Sequence, residues 1–214
     1  MGVYSWMNAQ YARTIEYARQ ALHIAAATQD PELRIPATYI LGVGHYERGE
    51  YRTAIDVLMG YLEGPDAELA KRRLGLASGS PYVLGCHRLV RCLSAVGEFE
   101  RALRYADYAV QAAEAADDPP AQAWAYTGRA FPMIAKGEFA QALPWLERAV
   151  QLCETKSVLL CLPTAYVTAG LALAWLNRTI EGLSYLERGV TASENMGTKF
   201  CLSWSYLAWA EGLF

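Results

Sequence analysis

His87 and Arg91 stand four residues apart, a spacing that puts both side chains on one face of a helix, where together they could hold a carboxylate or a phosphate. Aromatic residues fall near them at helical spacing: Tyr39 and Tyr46 before, Trp124 and Phe131 after, with Trp175 and Trp204 further on. Aromatics around a basic spot could bind the apolar or sugar-like part of a ligand, or the side chains of an extended peptide. The same residues could equally wedge between neighbouring helices as packing.

Catalytic chemistry finds little support. The chain has no Gly-x-x-x-x-Gly-Lys-Ser/Thr phosphate loop, no Gly-x-Ser-x-Gly elbow and no His-Glu-x-x-His. Its three histidines, at 23, 45 and 87, fall on three different helices, and none has a partner at metal-ligand spacing. The expectation is therefore no catalytic residue, no metal and no cofactor. A net charge of −3 gives no electrostatic footprint for nucleic acid. Five cysteines, at 86, 92, 153, 161 and 201, form no Cys-x-x-Cys pair and leave an odd one over. They read as buried thiols of a reducing, cytoplasmic compartment.

The elements that position these residues repeat. Gly49-Glu50-Tyr51, Gly97-Glu98-Phe99 and Gly137-Glu138-Phe139 are each followed by a small residue and an aliphatic, with weaker copies at Asn177 and Ala9. The anchors at 9, 49, 97, 137 and 177 are 40, 48, 40 and 40 residues apart. Twelve residues past each stands Ala21, Tyr61, Ala109, Ala149 or Gly189, small in all but one case. Nineteen residues before the anchors at 49, 97 and 137, and before the next one expected after 177, stand Asp30, Ser78, Asp118 and Thr198, all good helix N-caps, with Pro31 and Pro119 at the first helical position. One unit is thus a capped helix A, a glycine turn with positive φ, and a helix B whose small residues let a neighbour approach closely. Pro132 and Pro144 fall inside helices of the third complete unit.

The phrase LGVGHYERGEYRTAI at 41 to 55, with Leu41-Gly42 in helix A and Gly49-Glu50-Tyr51 at the turn, resembles the tetratricopeptide repeat (TPR) family. The resemblance implies an all-α, right-handed solenoid of stacked antiparallel helix pairs. It covers 1–214 as a single array, with units of approximately 1–29, 30–77, 78–117, 118–157 and 158–197 and a half-unit 198–214, so that both ends look truncated. The period exceeds the family's usual 34 residues by six, about one extra turn shared by two helices. In this, and in RLGLASGSPYVLGCHRLVRCLSAVGEF at 73 to 99 and ALPWLERAVQLCE at 142 to 154, the chain is similar to the C-terminal arrays of bacterial class III adenylate/guanylate cyclases and related signalling ATPases.

By register, the family's groove-facing positions are Tyr39, Tyr46, His87, Arg91, Trp124, Thr127, Phe131, Val167, Leu171, Trp175, Trp204 and Glu211. The resemblance implies a non-catalytic protein-interaction or regulatory module of a larger signalling protein. Its partner would be a protein, a peptide or another domain of the same chain, with a homodimer through exposed repeat ends also open. A ligand sensor using the aromatic groove is the alternative.

Two segments stand apart. The 48-residue spacing places eight additional residues in 64–79, where a short helix is followed by Lys71, Arg72 and Arg73. These form either a partner-binding insertion or an elongated helix B with a solvated basic face. The stretch 158–176 has no charge over nineteen residues, long enough to span a bilayer, but Pro163 and the repeat register argue for a buried helix A.

Overall fold

The computed structural model describes residues 1–76, 78–197, 206, 207 and 210. Regular structure there is helical, in the order α1 (Gly2–Met7), α2 (Tyr11–Thr28), α3 (Pro31–Glu47), α4 (Tyr51–Leu62), α5 (Ala67–Ala70), α6 (Pro81–Ala95), α7 (Phe99–Ala115), α8 (Pro119–Ala135), α9 (Phe139–Thr155), α10 (Leu162–Trp175) and α11 (Thr179–Met196).

All five anchors adopt left-handed backbone: Ala9 (φ 58°), Gly49 (76°), Gly97 (82°), Gly137 (77°) and Asn177 (61°). The amide of the residue after each of the last four bonds back to the carbonyl five positions earlier, as Glu98 N–H does to Leu93 at 2.8 Å. That closes helix A in a Schellman turn, which glycine enters without a Cβ penalty. A second left-handed series at Asp117, Ser157 and Gly197, again 40 apart, ends the B helices. Only one of these is glycine, so the sequence carried no signal for it.

The caps agree in part. Asp30 Oδ1 accepts from the amides of Glu32 (2.9 Å) and Leu33 (3.1 Å) at the start of α3. At α6 the expected cap, Ser78, is corrected to Ser80, whose Oγ accepts from Val83 N–H at 3.4 Å. Pro81, with φ preset for the first helical position, fixes the boundary two residues later than the repeat spacing suggests. Asp118 occupies the N-cap of α8 but makes no cap bond. Thr198 lies outside the described residues.

The A helices α3, α6, α8 and α10 pack side by side, while α4, α7 and α9 each bridge two A helices and make little contact with one another. The A layer is therefore the inner one of a curved stack. Ala102, Ala109, Ala142 and Ala149 are buried where the layers meet. The exception among the small positions, Tyr61, is accommodated by Gly85: a Cβ there would stand 1.7 Å from the Tyr61 hydroxyl, which donates to Pro81 O at 2.9 Å. Pro132 and Pro144 lie inside α8 and α9, and both helices continue past them. The uncharged stretch at 158 contributes only the fourteen residues of α10, and no helix among the described residues is long and apolar enough to cross a membrane. Cys86, Cys92, Cys153 and Cys161 are buried thiols; Cys201 lies outside the described residues.

Neighbouring units are also joined by a repeated triad. The Tyr126 hydroxyl donates to Glu114 at 2.9 Å with the Arg148 guanidinium 4.4 Å over its ring; Tyr166, Glu154 and Arg188 repeat this forty residues on. Burial, reinforced by the bond to Glu154, pushes the Tyr166 hydroxyl up to about 12. Because an unfolded tyrosine ionises near 10, the unfolded chain releases this proton first as pH rises. The triad's stabilisation is thus complete below about pH 10 and declines toward 12. Thermal melts across that interval should show a shallower loss of stability for Tyr166→Phe than for the unmodified chain; parallel slopes would remove the assignment.

Candidate functional site

α6 is enclosed on almost every side, because α3, α4, α7 and α8 all pack against it. Its stripe Leu84, His87, Arg88, Arg91 follows the i, i+3, i+4, i+7 pattern of one helical face. Arg88 is only 3 % exposed. Its guanidinium carbon lies 5.3 Å from the ring centres of both Trp6 and Tyr46, and Nη1 is 3.6 Å from Glu47 Oε1. That same oxygen accepts from Trp6 Nε1 at 3.1 Å, so α1, α3 and α6 share one polar cluster. Burial opposes the Arg88 charge, but Tyr39, Glu47 and Tyr46 outweigh it and hold the guanidinium protonated. Burial, with the charges of Arg88 and Arg91 adding to it, pushes His87 well below its ordinary value, so its imidazole is neutral at pH 7. The ring packs edge-on against Trp124 (4.9 Å) and Phe131 (5.9 Å).

Beside this cluster is a cavity of ≈ 380 Å³. Trp6 of α1, Tyr39 and Ile40 of α3, Leu84, His87 and Arg88 of α6, and Trp124 of α8 form its walls, and Leu160 reaches it from the connection before α10. Three of these residues carry a buried nitrogen with no hydrogen-bond partner among the described residues: His87 Nε2, Arg88 Nε and Trp124 Nε1. Buried donors are nearly always paired in folded proteins, and each such exception points to strain, function or an additional bound group.

The insertion supplies the remaining wall through Gly75, Leu76 and Ser78. This corrects the expectation of an elongated helix B, since α4 ends at Leu62; the exposed basic run is also paired within the chain. Arg73 Nε and Nη2 donate to the two oxygens of Asp118 at 3.0 and 2.8 Å, Arg72 pairs with Glu32 at 3.5 Å, and Lys71 lies 5.4 Å over the Tyr82 ring. Asp118 thus serves the insertion rather than its own helix. Arg34 pairs with Asp66 at the other end.

Of the residues singled out by register, the structure brings Tyr39, His87 and Trp124 into the cavity wall. Tyr46, Arg91 and Phe131 sit just behind it, with the Arg91 guanidinium 5.1 Å over Tyr46 and 4.2 Å over Phe131. Thr127, Val167 and Leu171 are buried between helices. Trp175 is not part of the group: it is 61 % exposed and stacks flat on Phe139 at 5.6 Å. Trp204 and Glu211 lie outside the described residues. Sequence reasoning missed Arg88 by following the His87–Arg91 pair alone, although the four-residue stripe contains it. It also missed Trp6 and Leu76, whose places depend on where α1 and the insertion dock. Among the described residues no group of three His, Cys, Asp or Glu side chains is placed to hold a metal ion.

No family model and no curated protein matches this sequence. Solved structures match its shape. The nearly identical TPR-like repeats of a candidate kinesin light chain from Podosopora anserina superpose with a TM-score of 0.58 at 17% identity, covering 91% of this chain and 92% of that one. The chain has a TPR-like fold. Aspartyl phosphate phosphatase F from Bacillus subtilis superposes with a TM-score of 0.63 at 18% identity over 97% of this chain, which spans 52% of the phosphatase.

Proposed function

We propose that this chain is a non-catalytic, TPR-like interaction and regulatory module that recognises its ligand in the cavity of the inner A layer. The observation that carries this reading is the cavity itself, a largely apolar space walled by Trp6, Tyr39 and Trp124 beside the buried Arg88. Small-molecule sites have this composition, an apolar lining with a few placed polar groups. A solenoid also gives such a site a consequence, since a ligand bound across α1, α3, α6 and α8 ties successive units together and alters how they sit. The period of about 40 residues supports a place for the module in a bacterial cytoplasmic signalling protein with cyclase or ATPase domains, which sequencing of the flanking gene would decide.

The test is Leu76→Trp, which fills the cavity from the insertion side. A thermal-shift screen of small molecules and short peptides should yield ligands that stabilise the unmodified chain, and each should lose its effect on this variant while the circular dichroism spectrum is kept. Ligands that stabilise both proteins alike, or none at all, would overturn the reading.

A further inference from the structure

We infer that the ligand of this cavity is an uncharged hydrophobic molecule with a fused-ring body, held by the rings and hydrocarbon of the wall. The inference rests on the reading of the cavity as a ligand seat and adds the chemistry of the occupant.

The wall offers nothing to an ion. Arg88 and His87 are its only basic residues. The Arg88 guanidinium is already matched by Glu47 Oε1 at 3.6 Å and flanked by the rings of Trp6 and Tyr46, each 5.3 Å away, while the Tyr39 hydroxyl is engaged by the same group. His87 is 2 % exposed and neutral. The nitrogens without partners in His87, Arg88 and Trp124 are buried and do not open onto the space. An ion entering here would shed its water and gain no counter-charge, which strongly disfavours it.

What the wall does present is apolar. Val3, Ile40, Leu76, Leu84 and Leu160 contribute hydrocarbon, and Trp6, Tyr39 and Trp124 contribute rings on which a flat ligand can stack with an offset. An apolar cavity of about 150 Å³ takes one benzene ring. The ≈ 380 Å³ of this one therefore has room for a fused pair. α1 and the insertion close two flanks, which suits a free small molecule better than an extended peptide running along the solenoid.

Calorimetric titration of the intact chain at pH 7 with three near-isosteres, 1-naphthalenemethanol, 1-naphthoate and 1-naphthylmethylammonium, tests this directly. The alcohol should bind at least tenfold more tightly than either ion, with a negative heat-capacity change, and should lose its binding on Leu76→Trp. Leu160→Asp, which sets one carboxylate in the wall at a half-buried position outside the helices, should reverse the order in favour of the ammonium. Should that variant fail to fold, the three-way comparison in the unmodified chain decides alone. Equal or tighter binding of naphthoate or of the ammonium, lost on Leu76→Trp, would overturn the uncharged class while keeping the cavity as a ligand seat. Alcohol binding that survives Leu76→Trp would place the ligand elsewhere and overturn the inference. No binding by any of the three, with screened peptides or other molecules still losing their effect on Leu76→Trp, would overturn the inference and keep the seat; no ligand of any kind would remove both readings.

Discussion

Gly170→Ala is expected to destabilise the chain by about 3 kcal/mol, at the upper end of what overpacking a close contact costs. A Cβ at Gly170 would lie 2.8 Å from the carbonyl oxygen of Gly182, 2.8 Å from Leu186 Cγ and 2.9 Å from Leu186 N. Two of those atoms are backbone, so no rotamer change relieves the contact and α10 and α11 must move apart. The contact is reciprocal: a Cβ at Gly182 would stand 2.8 Å from Gly170 O and 2.9 Å from Ala174 N. Either substitution opens the same crossing, so the double variant should cost less than the sum of the two. Gly60 supplies the control. It lies in α4 with nothing within 4 Å of a built Cβ, and Gly60→Ala should stabilise by roughly 0.5–1 kcal/mol through helix propensity alone. Urea midpoints of the three single variants settle the matter, and an unchanged midpoint for Gly170→Ala would mean that the two helices do not approach this closely.

Arg88→Ala is the second large effect. Removing one member of a buried ion pair costs about 3–5 kcal/mol, because the other charge is left without compensation. Glu47 keeps its bond from Trp6 and is 15 % exposed in its side chain, which places the expectation at about 3 kcal/mol. Arg91→Ala should cost about 1–2 kcal/mol, since it forfeits two cation–π contacts at a half-buried position and no buried carboxylate. The order is opposite to what the His87–Arg91 pairing suggests. Chemical denaturation of both variants would show it, and equal losses would mean that Arg88 is not the cation on which the cluster depends.

How much of this was legible beforehand differs from element to element. The Gly-Glu-aromatic phrase located the A–B turns because positive φ is a property of one residue and its immediate neighbours. The alanines seven apart located the close face of helix B for a similarly local reason. Ser78 was misplaced because the insertion broke the spacing from which it was inferred, and Pro81 decided the helix start instead. The pairing of Arg72 with Glu32 and of Arg73 with Asp118 was not legible because those acids are distant in sequence.

By itself, the sequence determined the helical hairpin, its period, its turns and the stacking of units, since each depends on backbone preferences and side-chain size within a few residues. The tertiary structure alone decided that Tyr39, His87 and Trp124 share a cavity while Trp175 stands outside on Phe139. It also decided that Arg88 meets Glu47 and that the insertion forms a wall. Those outcomes depend on burial and charge pairing between groups 30 or more residues apart, as in Trp6 with Glu47 and Arg73 with Asp118. Desolvation is fixed only when the elements carrying such groups are packed together.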